Sequence, residues 1–164
     1  MDLAVGLGSN LGNSVQTIYD SVEQLKQCGL DAITLSPLYE TPPVDCVRGT
    51  PNFINAALTG RWEGAAPRFL EVCADIEVAL GRPRTHASDR ARTIDLDLLL
   101  FGDLVCYEGK VKVPHPLLEE RMFVLMPLND IAPDWPIPPH GKTVAAALER
   151  LKAVESSERI RPLK

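Results

Sequence analysis

Apolar residues recur along this chain in two rhythms, short strand-like runs and longer stripes at helical spacing, and together they predict an α+β fold. Leu3 to Leu7 is an apolar run that ends in the turn Gly8-Ser9-Asn10-Leu11-Gly12-Asn13. Val15, Ile18, Val22 and Leu25 then fall along one side of a helix over Ser14 to Cys28, with Asn13 as N-cap and Gly29 as stop. A second strand is expected over Ala32 to Tyr39, an irregular loop over Thr41 to Pro51, and a third strand over Phe53 to Trp62. In that third strand Phe53, Asn55 and Ala57 share one face, and Ile54, Ala56 and Leu58 the other. Pro67 opens a second helix at its N1 position, with Phe69, Cys73, Ile76 and Leu80 as its buried stripe and Gly81 at its end. A strand over Thr93 to Phe101 follows, then a hairpin over Leu104 to Val113. Leu117 to Leu128 mixes a short helix with apolar packing, and a last helix runs from about Thr143 to Leu151.

The first hundred residues therefore read β-α-β-β-α-β. This order predicts a ferredoxin-like core, an antiparallel sheet with helices packed on one face, followed by a C-terminal hairpin and helix. The chain has 164 residues, so a single domain over residues 1–164 is expected.

Within this pattern one segment breaks the rule that strands bury apolar residues. Arg92-Thr93-Ile94-Asp95-Leu96-Asp97-Leu98-Leu99-Leu100 carries carboxylates at spacing two. Asp95 and Asp97 should point one way, and Leu96, Leu98 and Leu100 the other. For an arbitrary Asp-x-Asp the commoner reading is a solvated strand face. Here apolar residues crowd the pair and Arg82, Arg84, Arg90 and Arg92 precede it, which favours a hard divalent cation shared with substrate phosphates. Net charge supports a local anion site. The chain carries −5, and residues 82 to 92 hold four Arg and one Asp, or +3, leaving −8 elsewhere. A broadly basic surface for nucleic acid is not expected. Aromatic residues, at 5%, are too few for a base-stacking platform on the sheet.

Other positions draw attention for their chemistry. Gly6-Leu7-Gly8-Ser9-Asn10-Leu11-Gly12 is neither a dinucleotide fingerprint, because its third Gly comes one residue late, nor a P-loop, because no Gly-Lys-Ser/Thr follows. It is either a tight turn or a place where backbone approaches a flat ligand past Gly8. Asn55, between Ile54 and Ala56, needs hydrogen-bond partners if buried, and its amide suits the edge of a heterocycle. His115 lies between Pro114 and Pro116, with Arg121 six residues on as a second anion contact. Cys28, Cys46, Cys73 and Cys106 show no metal-ligand spacing and read as reduced thiols that mostly pack. The N-terminus has no basic, apolar leader, and no apolar run approaches the roughly 20 residues that span a bilayer. A cytoplasmic protein is expected, with no membrane partner.

Gly6 to Gly12, Tyr39-Glu40-Thr41-Pro42-Pro43, Pro51 to Ala56, Arg92 to Leu99, and Val113-Pro114-His115-Pro116 with Arg121 to Leu128 occur in that order. Together they resemble the 6-hydroxymethyl-7,8-dihydropterin pyrophosphokinase family of folate biosynthesis, over roughly residues 3 to 135. The resemblance implies transfer of the pyrophosphoryl group of ATP to the pterin hydroxyl, releasing AMP, on a ferredoxin-like fold. It implies that Asp95 and Asp97 hold two Mg²⁺ ions, and that Arg82 and Arg92 are catalytic on a loop over the phosphates. It implies that Arg84, His115, Arg121 and backbone near Leu98 meet ATP, with Lys110 and Lys112 as further nucleotide contacts. The pterin would lie between Phe53 and Phe123, with Asn55, Thr41, Pro42, Val44 and Gly8 at its edge. A monomer is expected, able to dock with folate-pathway neighbours. Two stretches depart from the family's usual pattern. Asp89-Arg90-Ala91 stands where an aromatic and Gly-Pro or Ala-Pro are common, and Val44 to Thr50 is not glycine-rich. The competing reading is a non-catalytic nucleotide-sensing module, for which the Asp pair would be superfluous. A third reading keeps the enzyme and changes the acceptor to another hydroxymethyl heterocycle.

Overall fold

A computed structural model describes residues 1–43, 49–81, 93–154 and 160–163. The elements are β1 (Asp2–Ser9), α1 (Ser14–Gln27), β2 (Asp31–Leu35), β3 (Tyr39–Thr41), β4 (Phe53–Arg61), α2 (Ala66–Ala79) and β5 (Asp95–Phe101). After these come a 3₁₀ turn (Leu118–Glu120), α3 (Met122–Ile131), β6 (Pro136–Ile137), β7 (Lys142–Thr143), α4 (Val144–Val154) and β8 (Arg161–Pro162). The main sheet runs β5-β1-β4-β3-β8, with β2 also on β4, and among the described residues its strands pair antiparallel. β6 and β7 form a separate two-stranded ribbon.

β1 is apolar from Leu3 to Leu7 because it lies between β4 and β5 and is covered on both faces. Leu3, Val5 and Leu7 join a core with Ile18 and Leu25 of α1 and Phe69, Cys73 and Ile76 of α2. Ala4 joins a second core with Ala57, Leu99 and Leu100 beneath Leu125 and Leu128 of α3 and Leu148 and Leu151 of α4. Helices therefore cover both faces of the sheet, where the sequence predicted one, since α3 and α4 each carry their own apolar stripe.

The helix punctuation is as expected. The Asn13 side chain accepts from the Gln16 N–H at 3.2 Å. Gly29 takes φ +102° and lets the Leu30 N–H reach the Leu25 carbonyl at 3.0 Å, a closure that favours glycine. Pro67 occupies the second helical position rather than the first. Val15, the first member of the α1 stripe, is exposed, and Leu80 is only half-buried at the end of α2.

Local corrections reshape the sheet. The single strand expected over Ala32 to Tyr39 is two, β2 and β3, interrupted at Ser36-Pro37. Pro37 has no N–H to give a ladder, and the Ser36 hydroxyl stands in by accepting from the Ala57 N–H at 2.9 Å. The hairpin over Leu104 to Val113 is reduced to one bridge, Cys106 with Val113, because Leu104, Val105 and Tyr107 have no facing layer and stay exposed. A bulge in β5 shifts the register, so that Ala4 pairs with Leu100 but Val5 with Leu98. Leu96 and Leu98 face α1 and α2 as expected, whereas Leu100, predicted beside them, lies in the opposite core. Cys73 packs in the core, but Cys28, placed with it by the sequence, is exposed at the end of α1.

Candidate functional site

The face of the sheet under α3 is apolar over half its length and polar over the rest. The polar end is built from the C-terminal ends of β1 and β3 and the N-terminal ends of β4 and β5. Register alone sets the row: Gly8 pairs with Asp95 on one side and with Asn55 on the other, and Asn55 pairs in turn with Tyr39. The next row is Asp97, Gly6 and Ala57. Asp95 and Asp97 are thus adjacent on one face of an edge strand, both half-buried. Gly8 puts no side chain between Asp95 and Asn55, while at Gly6, beside Asp97, the Leu99 side chain lies 3.5 Å from where a Cβ would be.

Asn55 is 7% exposed and Thr41 2% exposed, and their side chains meet across strands. The Asn55 Nδ2 donates to the Thr41 Oγ1 at 2.6 Å. That bond fixes the amide and turns its Oδ1 toward Gly8, where a Cβ would sit 2.9 Å from it and 3.9 Å from the Phe53 ring. Absence of a side chain at Gly8 is therefore a steric requirement of Asn55 and not only of the turn that follows. Phe53 is half-buried at the start of β4, and Pro42 follows Thr41 directly.

His115 closes the edge beside β5. Its N–H donates to the Leu99 carbonyl at 2.9 Å, and its Nδ1 accepts from the Leu117 N–H at 3.1 Å. A ring nitrogen that accepts a backbone N–H carries no proton, so the proton of the neutral ring is on Nε2. Burial first, and then the Arg121 charge, push the His115 pKa below that of a free imidazole, with Asp95 acting in the opposite direction. His115, Arg121 and Asp95 therefore lie within electrostatic range of one another. Arg121 is the N-cap residue of α3, and its guanidinium carbon lies 5.7 Å from the centroid of the Phe123 ring, a cation–π arrangement. Phe123 is half-buried in the first turn of α3.

Leu98 lies on β5 with its side chain in the α1–α2 core. Lys110 and Lys112 are exposed on the loop between Phe101 and Val113, where the Lys112 Nζ donates to the Tyr107 carbonyl of the same loop at 2.8 Å. Arg82, Arg84, Arg90 and Arg92, with Asp89 and Ala91, lie outside the described residues, as do Val44 and Cys46.

Several supports were missed in the sequence. Glu77 of α2 accepts from the Leu96 N–H at 2.7 Å, pinning β5 between the two Asp residues. Asn10 donates to the Pro51 carbonyl at 3.2 Å and ties the turn after β1 to the entry of β4. The Tyr39 hydroxyl donates to the Asp130 Oδ2 at 2.6 Å. Burial, and then the bond to the Asp130 carboxylate and its charge, push the Tyr39 pKa up to about 12. An acid among apolar residues in Ile76-Glu77-Val78 was a readable signal for Glu77. Nothing in the sequence paired Tyr39 with a residue 91 positions away.

Among the described residues no group of three or more His, Cys, Asp or Glu able to hold a metal occurs, and Asp95 and Asp97 offer a pair of carboxylate donors. That donor set fits Mg²⁺, which takes one or two carboxylates and completes its shell with water and phosphate oxygens.

The antiparallel sheet with helices on both faces is a mixed α+β architecture. A family model described as 7,8-dihydro-6-hydroxymethylpterin-pyrophosphokinase (HPPK) matches residues 4–133. A Synechocystis 2-amino-4-hydroxy-6-hydroxymethyldihydropteridine pyrophosphokinase is 34% identical over 152 residues, covering 90% of this chain and 74% of its own length. A Methylorubrum extorquens protein of the same name is 38% identical over 148 residues, covering 90% and 91%. The chain belongs to the HPPK family, and it is a pyrophosphokinase of folate synthesis. Among solved structures, a Plasmodium falciparum HPPK-DHPS has a TM-score of 0.74 at 15% identity, covering 99% of this chain. The chain spans 50% of that structure's length, and the likeness is one of fold.

Proposed function

We propose that the chain transfers the β,γ-pyrophosphoryl group of ATP to the hydroxymethyl oxygen of 6-hydroxymethyl-7,8-dihydropterin. The alcohol oxygen attacks the β-phosphorus, the bond from that phosphorus to the α,β-bridging oxygen breaks, AMP leaves, and the alcohol proton is released to water as the new bond forms. The observation that carries the reading is the row Asp95–Gly8–Asn55, which puts a metal-type carboxylate and a heterocycle-reading amide on one sheet face with no side chain between them.

On this reading the Asn55 Oδ1 accepts from the N–H edge of the pterin, and Thr41 and Gly8 keep that oxygen aimed. Phe53 and Phe123 hold the ring from either side, and Pro42 and Val44 supply main chain at its edge. Asp95 and Asp97 would hold two Mg²⁺ ions, which would supply charge neutralisation for the phosphates of ATP. ATP carries about −4, the two ions +4, the two Asp −2 and Arg82 with Arg92 +2, so the assembled site is near neutral. The neutral His115 offers its Nε2–H, and Arg121 its charge, to the nucleotide. Arg84, Lys110, Lys112 and backbone near Leu98 remain its further proposed contacts. No side chain need remove the alcohol proton early, because positioning and charge neutralisation do most of the work in such transfers.

The sheet order β5-β1-β4-β3, with α1 and α2 as its crossings, supports reading the core as ferredoxin-like. The reading also carries a single-domain, cytoplasmic, monomeric enzyme that docks with folate-pathway neighbours. Solved relatives described as HPPK-DHPS support the last point.

The test is an AMP-release assay with Mg·ATP and the pterin, run with and without EDTA. AMP formed only with pterin, lost with EDTA and restored by Mg²⁺, is expected. A folded protein that binds ATP but forms no AMP would favour the non-catalytic nucleotide-sensing reading.

A further inference from the structure

We propose that Tyr39 is a positioning residue for the substrate end of the site. Its bond to Asp130, with the C-terminal strand β8 as a second brace, holds β3 so that Thr41 can orient Asn55. This rests on the assignment of Asn55 to the pterin given above.

β3 has only three residues, Tyr39–Thr41, and Pro37 cuts it off from β2. A strand this short near a sheet edge is drawn from the low-stability end of a fold. Yet Thr41 on it accepts the bond that fixes the Asn55 amide, and Tyr39 is the register partner of Asn55 itself. A sideways slip of β3 would move both.

Independent ties oppose that slip. Tyr39 is 8% exposed, and its hydroxyl donates to the Asp130 carboxylate at 2.6 Å, the short geometry of a charge-assisted bond. Asp130 lies in the last turn of α3, the helix whose first turn carries Phe123. The bond therefore joins the strand that orients Asn55 to the helix that bears the proposed second ring wall. On the outer edge, β8 pairs Pro162 with Tyr39 and Arg161 with Glu40, and the Leu163 N–H donates to the Leu38 carbonyl at 2.9 Å. β8 falls beyond residues 4–133, the segment that the family model matches, so this brace is a feature of the present chain and not of the matched segment.

The experiment uses the full chain with Tyr39→Phe, which keeps the ring and removes only the donor, Asp130→Ala, their double variant, and Leu163→Pro, which removes the β8 donor. Amide hydrogen exchange in β3 is measured without ligand, and equilibrium binding of the pterin and of Mg·ATP is measured separately. Exchange at Tyr39–Thr41 should quicken relative to β5 in Tyr39→Phe. Pterin binding should weaken by up to about tenfold, the scale of one charge-assisted bond, with Mg·ATP binding unchanged. The double variant should be no worse than the worse single, and Leu163→Pro should move the same readouts less. Unchanged exchange in Tyr39→Phe, or equal weakening of both substrates, would overturn the proposal. Faster exchange in β3 combined with a wild-type protein that binds no pterin would uphold the brace and instead sink the assignment of Asn55.

Discussion

Under α1 and α2 the sheet is apolar from end to end, with Leu3, Val5, Leu7, Ala56, Leu58, Leu96 and Leu98 all in one core. Under α3 and α4 the same strands are apolar only as far as Ala4, Ala57, Leu99 and Leu100, and then turn to Asp95, Asp97, Asn55, Thr41 and Gly8. The first face trades its surface for stability. The second gives up apolar packing at one end, leaving two half-buried carboxylates and a buried amide on backbone that the apolar half holds rigid. A binding site on strands needs this division, because side chains aimed to within fractions of an ångström require a scaffold that does not give.

The division can be tested by asking whether activity and stability separate. The largest expected effect is on rate. Asp95→Ala and Asp97→Ala should each lower kcat by on the order of 10³-fold, since metal-held charge stabilisation amounts to several kcal/mol at about 1.4 kcal/mol per decade. Their unfolding midpoints should stay near wild type in denaturant titrations. A collapse of stability in either variant would place the pair in the structural half of the sheet. Phe69→Ala, on the opposite face, should do the reverse. Phe69 is 0% exposed and meets Trp62 edge-on at 5.3 Å between centroids, and truncation should cost roughly 3–5 kcal/mol of stability. The folded fraction should keep its KM values.

Gly8→Ala lies between these extremes. The new methyl would meet the Asn55 Oδ1 at 2.9 Å, and relief requires breaking the bond to Thr41 or moving a strand, an overpacking cost of roughly 1–3 kcal/mol. The pterin KM should rise about tenfold or more on that energy scale, with the ATP KM unmoved. An equal rise in both would show that Gly8 serves the whole end of the sheet.

The smallest effect is at His115. Its native pKa lies below the free imidazole value of 6.5, so above that pH neither folded nor unfolded chain carries the proton and His115 adds no pH dependence. As pH falls through about 6.5 the unfolded chain takes up a proton that the native ring resists. Stability is lost there, and the loss levels off once the native ring is also protonated. Replacing His115 with Gln should flatten this part of a stability–pH curve, and an unchanged slope would assign it to other groups.

Much of this arrangement was legible because local chemistry settles it. Asn13, Gly29 and Gly81 end their helices as expected, and Asp95 and Asp97 share a face because strand alternation leaves no alternative. Gly8, Asn55 and Thr41 were expected to act together and do lie together. What could not be read was phase and distance. The bulge at Leu99 inserts a residue that no composition announces, and it reversed the placement of Leu100. The break at Ser36-Pro37 depends on a hydroxyl replacing a ladder contact across to Ala57. The bonds from Glu77 to Leu96 and from Tyr39 to Asp130 join residues that share no local pattern. Arg82, Arg84, Arg92 and Val44 lie outside the described residues, so their proposed roles stand on the sequence alone.

The bulge at Leu99 behaves like a dislocation in a crystal, where one extra lattice point lets two ordered regions of different phase share a single line of atoms. On the Asp side of it, β5 turns carboxylates to the face under α3, and on the Phe101 side it answers to packing. Without Leu99 the pairs Ala4–Leu100 and Val5–Leu98 would be consecutive rungs, and Asp95, Asp97 and Leu100 would keep one face while Leu96, Leu98 and Phe101 keep the other. The one change of length that β5 should accept in phase is therefore the loss of Leu99, whereas a residue gained or lost elsewhere along the strand would turn one half of it to the wrong face.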